Sequence, residues 1–152
     1  MTGLRPVLIV DDSADDVELM REALAEFKLA NPLAVARDGE EALQYLRREG
    51  PFVSRAAVDP AVVLLDLKMP KVDGLDVLRE VRADERLHRI PVVMVTSSRE
   101  EQDLVRSYAL GVNAYVVKPV DFSAFADAVR RLGAFWAVLN EPPPSAGMEA
   151  PP

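Results

Sequence analysis

Cysteine is absent from the 152 residues, which excludes disulfides and thiolate-held metals. Basic residues are scarce: 18 Lys and Arg stand against 25 Asp and Glu, for a net charge of −7. Binding along a phosphate backbone needs a basic face, so nucleic acid is not an expected partner. No apolar run approaches the ~20 residues of a membrane span. The start, MTGLRPVLIV, lacks a signal-peptide layout. A cytoplasmic location without membrane contact is the expectation. Histidine occurs once, as His88 in a polar stretch. No nucleophile stands beside it, so it reads as a solvated loop residue and not as part of a Ser-His-Asp or Cys-His arrangement.

What is present suits one soluble domain with a single core: 49% apolar and 28% charged residues. Short apolar runs at Val7–Val10, Leu33–Ala36, Val62–Leu65, Val92–Val95 and Ala114–Val117 read as strands. Four of them are rich in Val, Leu or Ile, as strands buried on both faces are. Leu33–Ala36 is the weakest of the five and suits an edge. Helical patterns fill the intervals. Val17, Met20, Leu24 and Phe27 form one stripe behind a Ser13 cap; a second helix runs from about Glu40 to Arg48 behind Asp38. A third follows Asp73-Gly74 and buries Val77, Leu78 and Val81. A fourth opens on Ser98-Arg99-Glu100-Glu101, a capping-box pattern, and stops near Gly111. A last, extended helix starts after Asp121 and reaches about Leu139. Strand–helix alternation repeated five times predicts an α/β, doubly wound parallel sheet covered on both faces.

Residues 1–140 are expected to form the domain, and the tail 141–152, EPPPSAGMEAPP, to be disordered. With no room for an output domain, any signal is expected to leave through this domain's own surface. The connection Glu49–Pro60 is unusually long.

Polar residues mark the ends of four of these runs: Asp11-Asp12, Asp66, Thr96 and Lys118. In an open α/β sheet such positions converge on the rim at the strands' carboxyl ends, where sites form. Clustered carboxylates repel one another unless a cation sits among them, and hard oxygen ligands suit Mg²⁺. Asp66 is the candidate nucleophile, since carboxylates can accept phosphoryl groups. Lys118 supplies positive charge and Thr96 a hydroxyl donor for phosphate oxygens. Taken singly, each has an ordinary structural explanation: a helix-leading acidic turn, a surface lysine before proline, a strand-end threonine.

The segments VLIVDDS, VVLLDLKMPKVDGLDVL, VVMVTSS and NAYVVKPVD resemble the response-regulator receiver domain of two-component signalling, over about residues 6–133. Thr96 lies 30 residues after Asp66, and Tyr115 and Lys118 lie 19 and 22 residues after Thr96, intervals that match the family pattern. The resemblance implies a flavodoxin-like (βα)5 fold with strand order 2-1-3-4-5. It implies Mg²⁺ held by Asp11, Asp12, Asp66 and the backbone carbonyl of Lys68, with Asp66 phosphorylated by a sensor histidine kinase. It further implies Thr96 as switch hydroxyl, Lys118 as phosphate-contacting lysine, Tyr115 as switch aromatic and Pro119 after a cis peptide. A lysine at 68 departs from the smaller or polar residue often found there. A cation in that place is expected to change how fast an aspartyl-phosphate hydrolyses, a rate read in Lys68→Ala. The long Glu49–Pro60 connection and the ending FWAVLNEPPP resemble single-domain regulators that partner bacterial and cyanobacterial phytochrome kinases.

Phe125, Val129, Leu132, Trp136 and Leu139 are spaced like a short coiled-coil seam. A five-residue strand spans ~17 Å and a 17-residue helix ~25 Å. Phe135, Trp136 and Leu139 are therefore expected to pass the sheet edge and pair with a twin in a homodimer, the alternative being that they fold back on their own domain. Three other functions compete with the phosphoacceptor switch: a phosphorelay intermediate, a phosphorylation-independent module, and a haloacid-dehalogenase-type phosphohydrolase. The last commonly has an aspartate two residues after its nucleophile, where this chain has Lys68, and no cap insertion is evident.

Overall fold

The computed structural model describes residues 5–26 and 30–118, together with Ser123 and Asp127. Five strands form one parallel sheet: β1 (Val7–Val10), β2 (Leu33–Ala36), β3 (Val62–Leu65), β4 (Val92–Thr96) and β5 (Ala114–Val117), in the order β2-β1-β3-β4-β5. The helices between them are α1 (Ala14–Glu26), α2 (Gly39–Arg47), α3 (Gly74–Ala83) and α4 (Glu101–Ala109). No helix among the described residues is long and apolar enough to cross a membrane.

Because successive strand residues point to opposite faces, the central strands feed two cores. Val7, Ile9, Leu64, Val93 and Val95 face Met20 and Leu24 of α1. Leu8, Val10, Val63, Leu65 and Met94 face Leu46 of α2 and Val77, Leu78 and Val81 of α3. Every residue of β1, β3 and β4 is buried, as the apolar runs require, whereas the two edge strands bury one residue each, β2 Ala36 and β5 Ala114, so β5 is not buried on both faces as its composition suggested. Helix starts follow their caps. Ser13 Oγ accepts from Asp16 N–H at 3.2 Å, Asp38 Oδ1 from Glu41 N–H at 2.8 Å, and Asp73 Oδ1 from Asp76 N–H at 3.0 Å.

The capping box expected at Ser98 does not form. α4 begins at Glu101 behind Glu100, whose side chain makes no cap bond. The Ser98 hydroxyl instead donates to the buried Asp103 carboxylate at 2.6 Å and accepts weakly from Glu100 N–H at 3.3 Å. The hydroxyl thus donates to one group and accepts from another, and its oxygen meets the N–H of Glu100 in place of that of Glu101.

The long connection after α2 is folded. It contains a 3₁₀ turn at Gly50–Phe52, and the Arg55 guanidinium lies 4.1 Å above the Tyr45 ring, with Phe52 edge-on to that ring at 5.3 Å. Arg55 also donates to the carbonyls of Tyr45, Ala56 and Val58, so one side chain satisfies backbone acceptors that a loop leaves open. At the sheet's amino-terminal rim, Arg82 of α3 donates to the carbonyls of His88, Ile90 and Gly111 and to Asn113 Oδ1. That ties the segments entering β4 and β5 and leaves the opposite rim for polar chemistry. His88 is exposed, as expected of a loop residue.

Ser123 and Asp127 are helical. The rest of the expected last helix, with Phe125, Phe135, Trp136 and Leu139, lies outside the described residues, as do Pro119 and the tail 141–152.

Candidate metal and phosphoryl site

The ladder of backbone hydrogen bonds continues one step past each strand and aims the site residues. Asp11 N–H donates to Ala36 O at 3.0 Å, Asp66 N–H to Val10 O at 2.9 Å, and Lys118 N–H to Thr96 O at 2.8 Å. Four adjacent strands thus deliver Asp11-Asp12, Asp66, Thr96 and Lys118 to one rim. Asp11, Asp66 and Thr96 are buried there, and Asp12 is exposed.

One carboxylate oxygen each from Asp11, Asp12 and Asp66 fall within 4.8 Å of one another. Lys118 Nζ lies 2.7 Å from Asp11 Oδ2, 2.8 Å from Asp16 Oδ2 and 3.4 Å from Asp66 Oδ2. The contact with Asp11 is a close, charge-assisted pair with a buried carboxylate oxygen. An oxygen-only donor set and three acids to one ammonium fit a hard divalent cation. Lys118 alone leaves the cluster negative.

That excess is felt at Asp66. Burial, then the Asp11 charge, raises its pKa above the usual carboxylate range; Lys118 and the Leu67 N–H pull the other way and do not prevail. Burial alone lowers the pKa of Lys118, but Asp11, Asp16 and Asp66 overcome it and hold the ammonium charged well above the usual lysine range. A folded-state pKa above the unfolded one means that protonated Asp66 favours the fold, a stabilisation present at low pH and lost as pH rises through the raised pKa. At neutral pH without divalent cations, Asp66→Asn is therefore expected to melt above the parent, with the gap closing as pH falls toward that range. A variant that melts below the parent at neutral pH contradicts this.

The phosphoacceptor candidate's backbone is fixed by a close approach. A Cβ added to Gly74 stands 2.2 Å from Asp66 O, and Gly74 N–H donates to Leu67 O at 2.8 Å. Only glycine fits between α3 and the end of β3.

Thr96 Oγ1 accepts from Ser98 N–H at 3.2 Å, and the half-buried Tyr115 donates its hydroxyl to Ser98 O, also at 3.2 Å. Burial raises the Tyr115 pKa, with the charges of Asp103 and Glu100 adding to it and the Ser98 bond opposing. Thr96 and Tyr115 therefore meet at Ser98, three residues ahead of the first residue of α4. Lys68 projects into solvent, and its Nζ lies 4.0 Å from Asp103 Oδ2. The strand ends identified Asp11, Asp12, Asp66, Thr96 and Lys118. They did not reveal Asp16, Ser98 or Asp103; of these Ser98 is marked only as the start of a capping-box pattern, not as a link between Thr96 and Tyr115.

A five-stranded parallel sheet in this order, with acids, a hydroxyl and a lysine at its carboxyl-end rim, defines a receiver. The chain belongs to the response regulator receiver domain family, whose pattern matches residues 7–130. This is a family of signalling proteins and not of turnover enzymes. Among solved structures, the chain is similar to the bacteriophytochrome response regulator RtBRR, with TM-score 0.83 and 59% identity over 94% of this chain and 86% of that one. It is also similar to the bacteriophytochrome response regulator AtBRR, with TM-score 0.82 and 62% identity over 91% and 99% of the two chains. It is 36% identical to response regulator Rcp1 of Synechocystis sp., over 86% of this chain and 87% of that one. A structure of Rcp1 has been solved in an Mn²⁺-bound form, with TM-score 0.73 and 33% identity over 97% and 99% of the chains.

Proposed function

We propose that this chain is a phosphorylation-controlled switch in the cytoplasm. It takes a phosphoryl group from the phosphohistidine of a sensor histidine kinase of the phytochrome type, and it acts through protein surfaces, without nucleic acid or membrane. The observation that carries the reading is the setting of Asp66: a buried carboxylate 3.4 Å from Lys118 Nζ and within 4.8 Å of oxygens from Asp11 and Asp12.

Asp66 Oδ attacks phosphorus, the P–N bond to the donor imidazole breaks, and the freed nitrogen takes a proton. An acyl phosphate remains on Asp66. Hydrolysis reverses the charge state: water attacks phosphorus, the bond to Asp66 Oδ breaks, and the carboxylate returns with release of inorganic phosphate. The chain thus catalyses only its own phosphorylation and dephosphorylation. Asp11, Asp12, Asp66 and the Lys68 carbonyl would hold Mg²⁺, which would neutralise developing charge on the phosphoryl oxygens. Lys118 supplies the second cation, and the Thr96 hydroxyl donates to a phosphoryl oxygen.

Movement of Thr96 toward phosphate draws on Ser98 N–H, to which it is bonded, and so on the Tyr115 hydroxyl held by Ser98 O. The exposed Leu104, Val105 and Tyr108 of α4 lie beyond that loop and supply an apolar output surface. The last helix, through Phe135, Trp136 and Leu139, supplies a homodimer contact. A monomer by light scattering at high micromolar concentration, with and without phosphorylation, contradicts the dimer. The chemistry is tested by incubating the full chain with a small acyl phosphate and Mg²⁺ and weighing it intact. One labile phosphoryl adduct is expected.

A further inference from the structure

Asp16 stands outside the pattern of strand ends, yet Lys118 donates a hydrogen bond to it, at 2.8 Å across 102 positions of sequence. Its own helix start holds it there. Asp16 N–H donates to Ser13 Oγ at 3.2 Å, and Ser13 N–H donates to Asp11 Oδ1 at 2.9 Å. A short turn therefore connects a site carboxylate to Asp16.

The Lys118 ammonium has three donors and three acids around it. It sits nearer the acids of the α1 side, at 2.7 and 2.8 Å, than to Asp66 at 3.4 Å. These partners differ in what it costs to lose the cation. The side chain of Asp11 is fully buried and that of Asp66 is 8% exposed, whereas that of Asp16 is 33% exposed. Water can replace the lysine at Asp16; at Asp11 the same loss strands a buried charge.

We propose that Asp16 is a positioning residue for Lys118, docking the ammonium at rest and yielding it when Asp66 carries a phosphoryl group. This rests on the reading of Asp66 as the phosphoacceptor. A phosphoryl group brings roughly two negative charges and three acceptor oxygens, against one partly solvated carboxylate. At rest Asp16 draws the ammonium off the acceptor and weakens the site's hold on an anion. After phosphorylation Asp16 is released to water, and the charge presented by the first turn of α1 changes with it.

Fluoroberyllate with Mg²⁺, a non-covalent stand-in for a phosphoryl group on a carboxylate, separates binding from hydrolysis. The half-saturating concentration is read by fluorine NMR on the full chain. Asp16→Asn is expected to bind about threefold more tightly than the parent, the size of effect a partly exposed ion pair supplies. Asp15→Asn makes the same charge change at an exposed neighbour that does not pair with Lys118, and it is expected to match the parent. Equal affinity of Asp16→Asn and the parent overturns the proposal. So does equal tightening by Asp15→Asn, which reduces the effect to net charge. A parent that binds no fluoroberyllate, or an Asp66→Asn variant that binds it equally well, overturns the phosphoacceptor reading and this proposal with it.

Discussion

Lys118→Met is expected to lower the melting temperature by about 10 °C in a chelating buffer, since breaking a buried ion pair costs about 3 kcal/mol or more. The lysine is the cation shared by Asp11, Asp16 and Asp66, and its side chain is itself only 12% exposed. Methionine keeps most of the stem's volume and removes the charge, so the loss reports electrostatics more than packing. Asp16 can turn to water. Asp11 cannot, because its side chain is fully buried. The carboxylate cluster without its ammonium is a more negative cation site, so millimolar Mg²⁺ is expected to raise the melting temperature of Lys118→Met more than that of the parent. Thermal melts of both proteins in chelator and in Mg²⁺ check this. Equal melting in chelator, or equal stabilisation by Mg²⁺, contradicts it.

Gly74→Ala is expected to cost about 3 kcal/mol, the upper part of the range for forcing extra volume into a packed site. The added methyl meets Asp66 O at 2.2 Å, Leu67 Cα at 2.9 Å and Asp66 C at 3.0 Å. All three are backbone atoms that cannot rotate aside, so α3 must move away from β3 or the Asp66 peptide must move. In either case the acceptor leaves its place among Asp11, Asp12 and Lys118, and phosphorylation is expected to fall further than the loss of folded protein explains. Gly50→Ala is the comparison. Its φ of +56° is strained for alanine, but its nearest neighbour is the flexible end of Gln44 at 3.3 Å, so about 1 kcal/mol is expected. Denaturant titrations of the two variants check the order. A Gly74→Ala variant no less stable than Gly50→Ala contradicts the close-approach explanation.

The sheet was legible because its central strands are short, apolar throughout and bounded by polar residues. Val7–Val10 and Val62–Leu65 fall where the pattern put them, β4 runs one residue further, to Thr96, and Ala114–Val117 keeps its bounds although it is the second edge. Leu33–Ala36 read weakly for a physical reason: an edge strand buries less and needs fewer large apolar residues. The site was legible as far as it sits on strand ends. Asp16 escaped because its partner is 102 residues away, and nothing local marks a first-turn acid as a lysine's partner. The Ser98 cap failed for a different reason. The helix starts at Glu101 behind Glu100, so the Ser98 oxygen meets the N–H of Glu100 while its hydroxyl donates to Asp103 five residues on. The fit of Gly74 against Asp66 O is a contact between elements that composition does not announce.

The central claim is that Asp66 is where this receiver takes its phosphoryl group. Intact mass of the full chain after incubation with a small acyl phosphate and Mg²⁺, beside Asp66→Asn treated identically, tests it most directly. The expected result is one phosphoryl adduct on the parent, lost on standing, and none on the variant. An adduct of equal extent on Asp66→Asn, or no adduct on the folded parent, contradicts it.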